Sequence, residues 1–211
     1  RSGADAAALD DLIRHIGVAR AVGATVMRIC CGGRRTRPAD WAQHRAQLLP
    51  LLRRATEAAE AQGVVLAIEN HIDLLADELL DLLQTVDSPA LGVCLDTANN
   101  LRMLEDPVEV ARKLAPWARA THIKDVAANT ATKHGNPRDF AFWPSVPLGR
   151  GAVDLRAVLG HLRAAGYTGL LALEIDYLHP DWLVDGRADR AIADSLGWLR
   201  QALAESAVSA A

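Results

Sequence analysis

Short apolar runs at residues 25–30, 64–69, 91–96, 118–124 and 169–175 alternate along the chain with segments that carry apolar residues at helical spacing. That alternation restricts the fold more than any other feature. Consecutive strands joined through a helix lie parallel, with right-handed crossovers. Parallel strands are covered on both faces, so they read as unbroken apolar runs. Gly23, Gly63 and Gly166 stand where helices stop, and Asp106-Pro107 and Asp154 stand where they start. Further helices are expected over residues 4–22, 38–62, 74–86 and 188–205, with Pro38 in a first turn and Pro50 kinking or dividing the long one. Two architectures satisfy such a chain, an open doubly wound sheet and a closed barrel. No glycine-rich phosphate loop follows the first strand, which argues against a nucleotide-binding open sheet.

Four consecutive strands end on a residue type that can hold a metal ion: Glu69, Asp96, His122 and Glu174. The first two intervals are each close to the ~30 residues of one βα unit in a barrel, and the third is one unit enlarged by an insertion. Parallel strands bring their C-terminal ends to one face, where barrels keep their active sites, so the four side chains are expected to converge there. One acidic residue at a strand end is commonly a helix cap, and one His after an apolar run is commonly structural. Four in register are not explained by capping. Three carboxylates gathered in a partly buried centre would also repel one another without a cation. The donor set is oxygen-rich. It suits Mn²⁺ first, with Mg²⁺ or Co²⁺ as alternatives, and suits structural zinc poorly, since zinc there takes thiolates and several imidazoles.

Composition narrows the partners. A net charge of −3 over 211 residues gives no electrostatic reason to expect a nucleic acid. The Arg34, Arg35 and Arg37 cluster reads as a solvated loop. Three cysteines, two of them adjacent, make a poor disulfide framework. Cys30 and Cys94 are expected as buried free thiols, in keeping with a cytoplasmic setting. No apolar stretch reaches the ~18 residues that would span a membrane.

The segments Leu66-Ala-Ile-Glu69-Asn, Gly92-Val-Cys-Leu-Asp96-Thr, Thr121-His122-Ile-Lys-Asp125, Pro147-Leu-Gly-Arg-Gly-Ala-Val-Asp154 and Gly166-Tyr-Thr-Gly-Leu-Leu-Ala-Leu-Glu174 are weak singly and specific in this order and spacing. Through them the sequence resembles the xylose isomerase-like barrel superfamily, in its sugar isomerase/epimerase group. The resemblance implies an α/β fold, the (β/α)8 TIM barrel, as one domain over residues 1–211. Residues 23–33 stand where strand four of eight would, so the chain is expected to be N-terminally incomplete, as its start at Arg1 also suggests. Five parallel strands would leave open sheet edges, and self-association is then expected.

The resemblance also implies that Glu69, Asp96, His122 and Glu174 ligate one divalent cation. Glu69 and Glu174 would double as the acid–base pair of an epimerase acting on a keto-sugar or related polyol. One removes the proton α to the carbonyl, the cation stabilises the enediolate, and the other returns a proton. Several epimerases of this type carry a substrate-contacting His three residues after the Asp ligand, whereas Asn99 stands here. The enediolate could therefore collapse by a lyase route, dehydration or decarboxylation of a keto-sugar or sugar acid. Lys124 would bind a substrate oxygen or pair with Asp125. His71 would face the same side as Glu69 if the strand persists that far. Arg150, between two glycines, could grip a phosphate.

The insertion over residues 126–153 leaves from the active-site end and carries Lys133, His134, Arg138, Phe140, Phe142 and Trp143. Its length suits a substrate lid, a packed surface loop or a subunit contact. Apurinic endonucleases share the barrel, but their richer His ligation and DNA-binding face have no counterpart here. A non-catalytic subunit built on the same barrel is the remaining reading.

Overall fold

The computed structural model describes residues 5–129, 135–183 and 188–208. The chain divides into two units, one comprising Arg1–Leu95 with Lys113–Thr121 and the other Asp96–Arg112 with His122–Ala211.

In the first unit β1 (Val26–Ile29), β2 (Val65–Glu69), β3 (Leu91–Asp96) and β4 (Ala118–Ile123) are neighbours in that order, although the last residues of β3 and β4 belong to the second unit. Pairing is parallel, with Val26 opposite Val65 and Leu66 opposite Leu91. Leu66, Ala67 and Ile68 of β2 and Val93 and Cys94 of β3 have no exposed surface, as two-sided burial requires. At Gly92 the chains approach so closely that a β-carbon would lie 2.6 Å from the Trp117 carbonyl oxygen.

Three helices complete this unit: α1 (Ala6–Ala21), α2 (Trp41–Ala61) and α3 (Ala76–Val86). Asp5 and Asp40 cap the first two, their carboxylates accepting from the amides of Ala7 and Gln43. Helix α2 therefore begins at Trp41, after Pro38. Pro50 does not divide it. Both Pro50 and Ala46, whose carbonyl loses its helical partner there, lie on the exposed face, so water satisfies what proline cannot. Cys31 and Cys94 are buried and unpaired, but Cys30 is exposed, because it follows the end of β1 rather than lying inside it.

In the second unit the tip of β4 pairs in parallel with β7 (Ala172–Leu173), His122 opposite Ala172 and Ile123 opposite Leu173. This strand is much shorter than the run at 169–175, since only the end of β4 offers it a partner and residues 168–170 are exposed. The insertion opens and closes as an antiparallel ribbon of β5 (Asp125–Val126) and β6 (Ser145–Val146). Helices α4 (Pro107–Leu114), α5 (Leu155–Ala164) and α6 (Asp189–Val208) follow as the helical signals require. The first of them ends within the other unit. Val126, Val146, Leu148, Val158, Leu162 and Leu199 form the apolar core. Among the described residues no helix is long and apolar enough to cross a membrane. Lys133 and His134 of the insertion lie outside the described residues.

Candidate metal centre

Asp96 ends β3 and starts the turn that follows. Its Oδ1 accepts from the amides of Ala98 and Asn99, at 2.9 and 2.8 Å, which aims the side chain and opens a 3₁₀ turn over Asn99–Met103. The same segment is tied to the end of β4, where Thr97 donates to the carbonyl of Lys124 at 2.6 Å and the Thr97 amide donates to the carbonyl of His122. Thr97 thus ties the end of β3 to the end of β4 through both its hydroxyl and its amide.

Around Asp96 the second unit gathers His122, Lys124, Glu174 and Asp176. Asp96, His122 and Glu174 each offer one ligand atom, and these atoms lie within 4.8 Å of one another. His122 Nδ1 is 3.0 Å from Glu174 Oε2 and 3.9 Å from Asp96 Oδ2. The Lys124 ammonium lies 3.0 Å from both of those oxygens and 2.6 Å from Asp176 Oδ2. Lys124 and Asp96 are buried, while Glu174 and Asp176 keep about a quarter of their side-chain surface.

The electrostatics follow from that crowding. Burial pushes the Asp96 carboxyl up to about 6, against the opposing pull of Lys124 and two backbone amides. Burial also raises Glu174, but His122 and Lys124 outweigh it and hold the carboxyl well below the usual range. Lys124 is desolvated, yet its carboxylate neighbours keep it charged well above the ordinary lysine value.

Asp125 does not pair with Lys124. Its two oxygens accept from the amides of Gly149, Gly151 and Val153, fixing the 147–153 loop. A β-carbon on Gly151 would collide with that carboxylate. Asn99 belongs to the cluster, its Oδ1 3.5 Å from Lys124 Nζ. Arg150 is exposed and lines a separate cavity against α6 with Trp182 and Trp198. β2 stops at Glu69, and the His71 amide turns back to the Glu69 carbonyl, so strand alternation does not extend to His71. In the first unit Glu69 is buried at the end of β2, where Arg28 of β1 donates from Nε to its Oε2 at 2.8 Å. Arg37 leaves the basic loop to form a bidentate pair with Glu78.

Three participants escaped the sequence reading. Asp176 follows Glu174 by two residues, and strand alternation could have found it. Arg28 interrupts an apolar strand, which is itself a sign of a charge with a partner. Arg102, which donates to Asn99 Oδ1, sits in the turn after Asp96 with no local signal.

Residues 2–202 match the family described as xylose isomerase-like TIM barrel. The chain belongs to this family. Its parallel strands, with helices between them, are therefore strands of a TIM barrel. Among family relatives, a 2-epi-5-epi-valiolone 7-phosphate 2-epimerase from an Actinoplanes species is 37% identical over 153 residues, covering 72% of this chain and 49% of the relative. A 3-oxo-isoapionate decarboxylase from Pectobacterium atrosepticum is 32% identical over 120 residues, covering 57% of this chain and 42% of the relative. In structure, a xylose isomerase domain protein from Planctomyces limnophilus superposes with a TM-score of 0.73 at 25% identity, over 93% of this chain and 64% of that one. The chain spans about half the length of the curated relatives it matches.

Proposed function

We propose that the chain carries the centre of a divalent-metal-dependent epimerase or isomerase acting on a keto-sugar or related polyol in the cytoplasm. The observation that carries this reading is the convergence of Asp96, His122 and Glu174, one ligand atom each, within 4.8 Å. Glu69 is the fourth ligand. Its register partner on β3 is Cys94, two residues before Asp96, so alternation gives Glu69 and Asp96 the same side of the sheet. The donor chemistry fits a hard cation, with Mn²⁺ the first choice. Asp96 Oδ2 and Glu174 Oε2 already converge on one positive charge, the Lys124 ammonium.

A divalent ion held there supplies Lewis-acid stabilisation for the oxyanion that develops beside a carbonyl. Glu69 and Glu174 exchange the proton at the carbon next to that carbonyl, one removing it and the other returning it. Arg28 orients Glu69, and His122 and Lys124 orient Glu174. Lys124 and Asn99 bind substrate oxygens. The partner is a small sugar, not a nucleic acid. The epimerase relative supports this reading.

The decarboxylase relative, and Asn99 in place of a histidine, favour a second reading in which the same enediolate loses a group. Incubating a panel of ketohexoses and keto-sugar acids with Mn²⁺-loaded protein in D₂O separates them. Epimerisation introduces deuterium at carbon without loss of a fragment, and a lyase yields a lighter product. Absence of both deuterium exchange and product across the panel would remove both readings.

A further inference from the structure

The metal-ligand turn is joined to the insertion by one buried cation. Asp96, capped by its own following amides, leads into the 3₁₀ turn Asn99–Met103, and Arg102 leaves that turn with only 1% of its surface exposed. Its guanidinium reaches both the turn and the arm. Nη1 donates to Asn99 Oδ1 at 3.0 Å, Nη2 donates to the Trp143 carbonyl at 3.0 Å, and the guanidinium plane covers the Phe140 ring at 4.6 Å from its centroid. Phe140 and Trp143 belong to the arm at residues 135–146, which is braced by the Trp143 indole donating to the Pro137 carbonyl and by the Asn129 amide donating to the Phe142 carbonyl.

Burying a guanidinium is costly unless its donors are used, and Nη1 and Nη2 are used on a ligand-turn side chain and on the arm. The charge also fixes an orientation. Asn99 Oδ1 faces Arg102 at 3.0 Å and Lys124 at 3.5 Å, and two cations demand the oxygen of the amide rather than its NH₂. Lysine could not do the same, because a single ammonium has neither the fork nor the flat face.

We infer that Arg102 is a positioning residue that locks the 135–146 arm to the Asp96 turn and fixes Asn99, so that occupancy of the metal centre is felt by the arm. The inference rests on the metal reading above for its last clause alone. Hydrogen exchange by mass spectrometry, with Mn²⁺ as the probe, tests it on the wild type, Arg102→Met, Arg102→Lys and Phe140→Ala. Without metal, amides of residues 139–146 should exchange about tenfold faster in Arg102→Met, the loss expected for a buried charge-assisted hydrogen bond. Arg102→Lys should recover little of that, and Phe140→Ala, which removes only the half-exposed ring beneath the guanidinium, should show a smaller rise. With Mn²⁺ the wild-type arm should become more protected, while Arg102→Met should retain the metal and lose the added protection. Unchanged exchange of the arm in folded Arg102→Met, or in Phe140→Ala should the first variant not fold, overturns the inference. So does Mn²⁺ protection of the arm that survives in Arg102→Met. A wild type that holds no Mn²⁺ sinks the metal reading and with it the coupling, while the metal-free comparison still decides the lock.

Discussion

At the scale of single residues the centre is a problem of charge. Lys124 is surrounded by the carboxylates of Asp96, Glu174 and Asp176, so its ammonium is the counter-charge of the metal-free protein. Lys124→Met should destabilise the metal-free fold by about 3 kcal/mol, since removing one partner of a buried ionic group leaves the others uncompensated. Mn²⁺ should then raise the variant's Tm by more than it raises the wild type's, because the ion replaces the lost charge. Calorimetry with and without the ion checks both arms. Asp73 gives a pH-dependent prediction. It is buried, its carboxylate oxygens lack hydrogen-bond partners beyond its own backbone, and burial pushes it up to about 6. A raised folded-state value means that the unfolded chain loses its proton first. Stability from this group is complete below about 4, falls as pH rises to about 6, and is flat above that. Relative to the wild type, Asp73→Asn should therefore gain up to about 3 kcal/mol between pH 4 and pH 7 in urea titrations. A difference that does not vary with pH would contradict it.

At the scale of elements, helices announced by caps and strands announced by apolar runs are where the sequence is most legible. Asp154 caps α5 at the residue that pattern indicates, and Glu69 and Asp96 end strands as the apolar runs require. The misreadings share a cause, that local chemistry does not show what covers a residue. Pro50 belongs to a continuous helix because its face is solvated, and β7 is short because only two residues of β4 reach it. The Lys124–Asp125 choice could not be resolved from neighbours in sequence, since the carboxylates around Lys124 and the loop amides held by Asp125 lie more than 20 residues away. Two substitutions probe these elements. Pro50→Ala should stabilise by about 1–2 kcal/mol, restoring a helical hydrogen bond at a small cost in unfolded-state entropy. Gly151→Ala should cost about 1–3 kcal/mol, because the new methyl displaces the Asp125 carboxylate from the loop amides it anchors. Chemical denaturation measures both, and an unchanged midpoint in either case would refute the corresponding packing argument.

At the scale of the whole molecule, membership of the xylose isomerase-like family accounts for the alternation of strands and helices, and the site follows from the rule that parallel strands end on one face. Asp96, His122 and Glu174 were legible because each closes an apolar run, whereas Arg28, Arg102 and Asp176 act through partners that only the folded chain supplies. Relatives that the chain matches over about half of their length include both an epimerase and a decarboxylase. The metal centre is the claim on which the rest depends. Elemental analysis after Mn²⁺ loading and exhaustive dialysis tests it directly, on the wild type and on folded His122→Ala and Glu174→Gln. The wild type should retain close to one equivalent and either variant little. A folded wild type that retains none, or variants that retain as much as the wild type, would contradict it.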